Sequence, residues 1–297
     1  VLAPAFQADT GIRVKTVSGA TGDLYARIRD EAASPSGDVM FGGDVSQALA
    51  QATLWEPYVA ADDAAMTSLG RNVGGVATPF QADGSVLLVN ADRGRGLRIE
   101  GYADLLNPVL KGRIALGDPA TSSAAFAQVT TMVAAMGTPA STGFGSDAGW
   151  DYVQQLLPQG GGAVAASPAE VAFNVVNGTD TVGLVSESRA QSQLLVGLPV
   201  KIVYPREGTV FLPACAQIIK GAPHAEQARA FLDWIQSEPA QRLIADATSA
   251  RPVRAGIVRE KTPALGLITT LPEDIALVAA NRDAILARYR DALSAAG

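Results

Sequence analysis

The amino-acid sequence predicts an α/β protein in which strands and helices alternate, and two patterns support this prediction. In the first third of the chain, the sequence predicts a strand at 11–17, a helix at 23–33, a strand at 37–41 and a helix at 46–52. Further along, short apolar and β-branched runs are bounded by Gly, Pro or polar residues, which is typical of buried strands. Strands that alternate with helices favour sheets with parallel neighbours.

The later elements follow the same two patterns. The sequence predicts strands at SVLLVN (85–90), 113–116, TVGLVS (181–186), VKIVYP (200–205) and in the run FLPACAQII (211–219). It predicts helices at 123–136, at EQARAFLDWIQS (226–237) and from 272 to 293, and a Gly/Ser-rich break at 137–149. The fold class is therefore α/β, with mixed sheets flanked by helices.

Length and composition allow packed cores and exclude two partner classes. The chain has 297 residues, 48% of them hydrophobic and 18% charged, which is enough for one large or two medium domains. No apolar run approaches the roughly 20 residues of a membrane span, so we expect no insertion into a membrane. The net charge of −6 and the lack of a basic cluster argue against nucleic acid as a partner.

The sequence lacks the residues that most catalytic chemistry needs. His224 is the single histidine, and its position beside Pro223 predicts an exposed helix start. Motifs for zinc, phosphate-loop and dinucleotide chemistry are missing, so we expect no metal, no cofactor and no enzymatic activity. Cys215 is the single cysteine and lies in an apolar strand run, which predicts a buried, inert thiol and rules out an intrachain disulfide.

Two small-residue segments each precede a predicted helix. They are SGATGD at 18–23 and GDPATSSAA at 117–125. The first N–H groups of a helix lack intrahelical partners and carry partial positive charge, so such segments suit an anion. The candidate contacts are Ser18, Thr21, Gly22, Thr121, Ser122 and Ser123. Ordinary helix capping by Ser and Thr is the alternative.

Seven segments in order resemble one protein family. They are FQADTGIRV, SGATGDLYARI, GDVMFGGD, GYADLLNPVLKGRIALGDPA, YPREGT, IIKGAPHAEQARAFLDWIQSEPAQ and RPVR. This order resembles the periplasmic solute-binding proteins of ABC importers, in the ferric-ion and phosphonate branch of the family 1 extracellular binding proteins. The resemblance covers essentially the whole chain.

The resemblance implies a two-lobe Venus flytrap, the type II periplasmic binding protein fold, with the ligand in the interlobe cleft. We expect lobe I at 1–86 and 214–265, and lobe II at 87–213 and 266–297. The implied function is the capture of a small anionic ligand by a monomer for an ABC permease in the inner membrane. The implied location is the periplasm, or the cell exterior as a membrane-anchored lipoprotein. In the family a strand precedes the first helix and often contacts the ligand, whereas this sequence begins at the helix.

The resemblance also bears on the ligand. Iron-binding members carry adjacent tyrosines shortly after the strand that corresponds to TVGLVS, where this chain has Ser188 and Arg189. We therefore expect a phosphorylated or phosphonate compound rather than ferric iron, and we expect Arg189 to contact its anionic end. Sugar phosphates, 2-aminoethylphosphonate and pyridoxal phosphate are ligand types of similar proteins. A surface salt bridge from Arg189 to Glu187 or Asp180 is the alternative.

Three carboxylates complete the candidate site. Asp44, Glu187 and Glu207 are candidates for an amine or hydroxyl group of the ligand, and a structural hydrogen bond to the hinge is the alternative for Glu207. Two further functions stay open. One is ferric uptake with a nonstandard ligand set, and the other is a ligand-sensing domain of a signalling system.

Overall fold

The structure is a computed structural model that describes residues 1–137, 147–260 and 262–296. The chain divides into two compact units, and each consists of two chain segments. Unit 1 comprises Val1–Asp83 and Leu212–Thr262, and unit 2 comprises Gly84–Phe211 and Pro263–Gly297.

The helices in the described part of the chain are α1 (Leu2–Thr10), α2 (Thr21–Asp30), α3 (Val45–Ala50), α4 (Ser123–Met136), α5 (Asp147–Gln159), α6 (Pro168–Val176), α7 (Glu187–Leu195), α8 (Ala225–Gln236), α9 (Glu238–Ala247), α10 (Ile275–Ala280) and α11 (Arg282–Ala296). The strands are β1 (Val39–Asp44), β2 (Trp55–Glu56), β3 (Thr78–Asn90), β4 (Ile114–Ala115), β5 (Val182–Ser186), β6 (Val200–Val203), β7 (Phe211–Ile219) and β8 (Arg251–Pro252). None of the described helices has both the length and the hydrophobicity needed to cross a membrane.

Unit 1 is built around β7, which pairs antiparallel with β1 and with β2. β3 lies next to β7, and β8 pairs antiparallel with the first part of β3. Successive residues of β7 point to opposite faces of the sheet, so Ile218 packs with α8 and α9 while Ile219 packs with Tyr25 of α2. Helices therefore cover both faces of this sheet.

Unit 2 has a mixed sheet in the order β4, β5, β3, β6. β4 and β5 are parallel, and β3 pairs antiparallel with β5 and β6. Leu87 of β3 packs on one face with residues of α4, α5 and α11, and Val86 packs on the other face with residues of α6. The predicted mixed sheets flanked by helices are present in both units.

The predicted strand at 11–17 is wrong. These residues form neither helix nor strand, and Val17 is 64% exposed. The N–H of Val14 donates to the side-chain oxygen of Gln7 at 2.7 Å rather than to a neighbouring strand. The alternation of apolar and polar residues in this segment suits a strand, but a strand also needs a partner for its backbone groups.

Two other predicted boundaries differ from the structure. β3 begins at Thr78, seven residues before the predicted run at 85–90, and the sequence did not predict this first part because TPFQAD at 78–83 contains a proline and no apolar run. The predicted helix within 272–293 is interrupted at Asn281, whose side-chain nitrogen donates to the carbonyl of Leu277 at 2.8 Å. Most of the predicted Gly/Ser-rich break at 137–149 lies outside the described residues.

Gly149 lies where α5 packs closely on α4. A Cβ at this buried position would lie 2.3 Å from the carbonyl oxygen of Val133, which is backbone and cannot rotate away. We expect Gly149→Ala to lower the free energy of unfolding by about 1–3 kcal/mol, measured by urea denaturation. Gly266→Ala is the control, because a Cβ there meets nothing within 4 Å. Equal stability of the two variants would contradict this account of the helix contact.

Candidate functional site

The first candidate segment lies in unit 1, where α2 begins. Thr21 and Gly22 are its first two residues, and Ala20 occupies the N-cap position without a side-chain hydrogen bond. Because alanine offers no side-chain acceptor, the N–H groups of Thr21 and Gly22 have no partner among the described residues. Ser18 is exposed and lies three residues before the helix, so ordinary capping does not account for this segment.

The end of β1 also lies in unit 1. Gly42 and Gly43 have φ angles of 109° and 82°, in the region that favours glycine. Asp44 then forms the N-cap of α3, where its Oδ1 accepts hydrogen bonds from the N–H of Gln47 at 2.9 Å and from the hydroxyl of Ser46. Asp44 is 7% exposed, so this candidate contact also serves the fold by capping α3.

The start of α2 and the end of β1 are neighbours in unit 1. A Cβ placed on Gly43 would lie 3.1 Å from Cγ2 of Thr21, and 3.5 Å from both the hydroxyl of Tyr25 and Oε1 of Gln47. The structure thus brings Thr21 close to the Gly43–Asp44 segment. Sequence reasoning missed Tyr25 and Gln47, because the positions of their polar atoms follow from packing and have no sequence signal.

The second candidate segment lies in unit 2, where α4 begins. Ser122 is the N-cap, and its Oγ accepts from the N–H of Ala125 at 3.2 Å, which is the ordinary cap given above as the alternative. Ahead of it, the carboxylate of Asp118 accepts from the N–H of Ala120 at 2.8 Å. The N–H of Ser123 has no acceptor in the described part of the chain. The second segment therefore combines a cap with an unpaired donor.

Gln128 fixes the position of α4 on the sheet. Its side chain is buried, and its Nε2 donates to the carbonyl oxygens of Val86 at 3.1 Å and Val185 at 2.6 Å, on the neighbouring strands β3 and β5. Its Oε1 accepts from the hydroxyl of Tyr102 at 3.3 Å. These bonds hold the helix that carries Ser123 against the end of β5.

The start of α7 carries two further candidates in unit 2. Ser186 is the N-cap and accepts from the N–H of Arg189 at 3.4 Å. Glu187 is 1% exposed and accepts a hydrogen bond from the hydroxyl of Tyr204. The guanidinium of Arg189 is exposed and makes no ion pair within the described residues, so the alternative salt bridge to Glu187 or Asp180 is not observed.

The sheet of unit 2 relates these two helix starts. Ile114 pairs with Val182 and Ala115 with Gly183 in a parallel ladder, so β4 and β5 end at the same edge of the sheet. α4 follows β4 after a short loop, and α7 follows β5 directly. Open α/β sheets bind ligands at the edge where their parallel strands end. Five candidate residues follow the strands that end at this edge: Thr121, Ser122, Ser123, Glu187 and Arg189.

Glu207 lies elsewhere in unit 2. Its two carboxylate oxygens accept from the N–H groups of Tyr102 and Ala103, each at 3.0 Å. Arg206 lies nearby, with its Nε 3.8 Å from Oε1 of Glu207. Glu207 thus makes structural hydrogen bonds, with the backbone at Tyr102 and Ala103 of unit 2 as the partner.

Cys215 and His224 have the environments that the sequence predicts. Cys215 is fully buried, as predicted, and burial raises the pKa of its thiol well above the ordinary value, with the charge of Asp44 adding to the effect. His224 is largely exposed and faces Asp38, as expected for a surface residue. Among the described residues, no group of three or more His, Cys, Asp and Glu side chains is arranged to hold a metal ion.

Comparisons with known proteins agree on the fold. A family model described as bacterial extracellular solute-binding protein matches residues 1–247. Iron uptake protein A1 of Synechocystis sp. is 25% identical over 270 residues, which is 87% of this chain and 73% of that protein. The periplasmic binding protein AfuA from Actinobacillus pleuropneumoniae, with exogenous fructose 6-phosphate bound, has a TM-score of 0.85 and 23% identity over 99% of this chain and 94% of its own.

A second solved structure supports the same fold. Iron-bound HitA from Pseudomonas aeruginosa has a TM-score of 0.80 and 22% identity, and the match covers 98% of this chain and 94% of its own. The predicted fold class, that of the two-lobe periplasmic binding proteins, is confirmed. Fructose 6-phosphate and iron are the solutes bound in those two structures.

Glu207 gives a test that separates structure from binding. We expect Glu207→Ala to lower the free energy of unfolding by about 2 kcal/mol, because two backbone N–H groups lose a charged acceptor. Denaturant unfolding measures this effect, and Glu226→Ala is the control because the side chain of Glu226 is 82% exposed. A Glu207→Ala variant of unchanged stability would contradict the structural role.

Proposed function

Because this chain belongs to the bacterial extracellular solute-binding proteins, we propose that it captures a small anionic solute, a phosphorylated or phosphonate compound, for import by an ABC permease. Members of this family bind solutes and deliver them to permeases; they are not enzymes. We propose a periplasmic location, or a membrane-anchored one at the cell exterior, and a permease of the inner membrane as the partner. The protein acts as a monomer in this proposal.

The exposed guanidinium of Arg189 is the observation that carries the anionic assignment. Its charge is not neutralised by any carboxylate of the described residues, and it follows a strand that ends at the same sheet edge as the strand before α4. An Arg fork binds a phosphate or carboxylate with two parallel hydrogen bonds. The N–H of Ser123 and the hydroxyl of Ser122 add donors at that edge, and the hydroxyl of Thr121, which donates to the carbonyl of Asp118 at 3.5 Å, is a third candidate.

Unit 1 supplies the second set of proposed contacts. The unpaired N–H groups of Thr21 and Gly22 are proposed donors to an anionic solute, and Ser18 adds an exposed hydroxyl. Asp44 and Glu187 are proposed for an amine or hydroxyl group of the solute. Their carboxylates already accept hydrogen bonds from Ser46 and Tyr204, which fixes their orientation.

Ferric iron is the second candidate solute, because Iron uptake protein A1 and iron-bound HitA are similar to this chain. The residues argue against it. Phenolate oxygens are hard ligands that suit ferric iron, whereas Ser188 and Arg189 stand where the resemblance places a tyrosine pair. A cationic side chain at that position repels a metal cation and attracts an anion.

A direct test of the proposed function starts from the protein as purified. Native mass spectrometry detects a co-purified solute, and a thermal-shift screen of phosphorylated metabolites and phosphonates then measures stabilisation by binding to the folded state. A rise in melting temperature with a phosphorylated compound supports the proposal. Stabilisation by neutral or cationic solutes alone contradicts it.

Variants at Arg189 and Ser122 test the anion contacts of unit 2. We expect Arg189→Ala and Ser122→Leu each to weaken binding of the solute found in that screen by about 10- to 100-fold, measured by calorimetric titration. Arg290→Ala is the matched control, because Arg290 is also exposed but lies on α11. An unchanged dissociation constant for Arg189→Ala removes this arginine from the site.

Titration with iron tests the second candidate. We expect ferric citrate to give no visible charge-transfer band and no saturable heat beyond that of citrate alone, because the tyrosine pair is missing. Stoichiometric iron with a visible absorption band would overturn this expectation and favour iron over an anionic solute.

A further inference from the structure

Gln47 is a buried residue of unit 1 with a polar carboxamide side chain. The residue is 5% exposed, and its Oε1 has no hydrogen-bond partner among the described residues. Buried polar side chains normally have partners, because an unpaired group loses its hydrogen bonds to water on folding. An exception of this kind in a folded protein calls for an explanation, such as a bound water, an ion or a ligand.

The sequence position of Gln47 predicts a different arrangement. Gln47 stands three residues after the N-cap Asp44, which is the spacing of a capping box. In that motif, the glutamine side chain accepts a hydrogen bond from the N–H of the N-cap residue. Here Asp44 makes its half of the motif, by accepting from the N–H of Gln47, but the Oε1 of Gln47 does not return the bond.

Instead, the carboxamide lies beside Gly43. A Cβ on Gly43 would be 3.5 Å from the Oε1 of Gln47, 3.5 Å from the hydroxyl of Tyr25 and 3.1 Å from the Cγ2 of Thr21. The φ of 82° at Gly43 also disfavours any side chain there. Polar atoms of Gln47 and Tyr25 thus converge next to a residue that has no side chain, close to the first turn of α2.

We propose that Gln47 determines specificity by hydrogen-bonding a hydroxyl group of the solute, an inference that rests on the proposed function. A carboxamide has both a donor and an acceptor and therefore matches a hydroxyl group, which also has both. It carries no charge, so it adds no attraction for the phosphate itself. The solute is accordingly a hydroxylated phosphate compound, such as a sugar phosphate or a polyol phosphate, rather than free phosphate or a simple alkyl phosphonate.

The test compares two hydroxylated probes, fructose 6-phosphate and glycerol 3-phosphate, with two probes that lack a carbon-bound hydroxyl, inorganic phosphate and methylphosphonate. Calorimetric titration of the wild-type protein gives the preference for the hydroxylated probes. We expect Gln47→Leu to weaken their binding by about 10-fold and to leave the other two within about 2-fold. Gln47→Met, an unbranched replacement of similar length, serves as the second variant.

The melting temperature of the ligand-free protein gives an independent readout. We expect Gln47→Leu and Gln47→Met to raise it, because each removes an unpaired buried polar group. Gln241→Leu is the matched control. Gln241 is also buried in unit 1, but its Nε2 donates to the carbonyls of Phe80 and Ile235 and its Oε1 accepts from the N–H of Val253. We expect Gln241→Leu to lower the melting temperature and to leave the preference among the four probes unchanged.

The outcomes separate this inference from the proposed function. If the wild-type protein binds all four probes equally and Gln47→Leu changes none of them, Gln47 has no such role while anion binding stands. If the wild-type protein binds none of the four, the inference about Gln47 fails, and the screen of phosphorylated metabolites and phosphonates decides the proposed function. A lower melting temperature for Gln47→Leu and Gln47→Met shows that the carboxamide serves the fold, as in a capping box, and overturns the inference.

Discussion

The hydrogen bonds of Gln128 are the interaction on which the arrangement of unit 2 depends. The Nε2 of Gln128 donates to the carbonyl oxygens of Val86 and Val185 on adjacent strands, and its Oε1 accepts from the hydroxyl of Tyr102. A helix packed on a sheet by apolar contacts alone can slide, because those contacts have little direction. A buried amide with satisfied partners allows one position. That position sets where the first turn of α4 meets the edge at which β5 ends.

The sequence predicted the regular elements that local pattern determines. The long helix α4 was predicted with the bounds that the structure has, because its start carries a serine cap and its interior has no strong helix breaker. The segment at 11–17 has an equally clear pattern but no paired strand in the described part of the chain. Strand pairing joins residues distant in sequence, so a local pattern predicts the tendency of a segment and not its partner.

Only part of the candidate site could be predicted from the sequence. Small hydroxyl residues at a helix start identified the segments around Thr21 and Ser122, because their chemistry is local. The carboxylate of Glu207 bonds backbone N–H groups about a hundred residues earlier in the chain, which no sequence spacing indicates. Gln47 was missed for a related reason. Its Oε1 has no hydrogen-bond partner among the described residues, whereas its spacing from Asp44 predicts a capping box in which that oxygen accepts a bond.

The buried thiol of Cys215 has a practical consequence for studying this protein. Thiol reagents attack the thiolate, and both full burial and the raised pKa keep Cys215 from reacting in the folded state. Because the chain has a single cysteine, one new cysteine on the surface would be the only reactive thiol of the native protein. A fluorophore attached there would report solute binding by its emission, without replacing any native residue of the core.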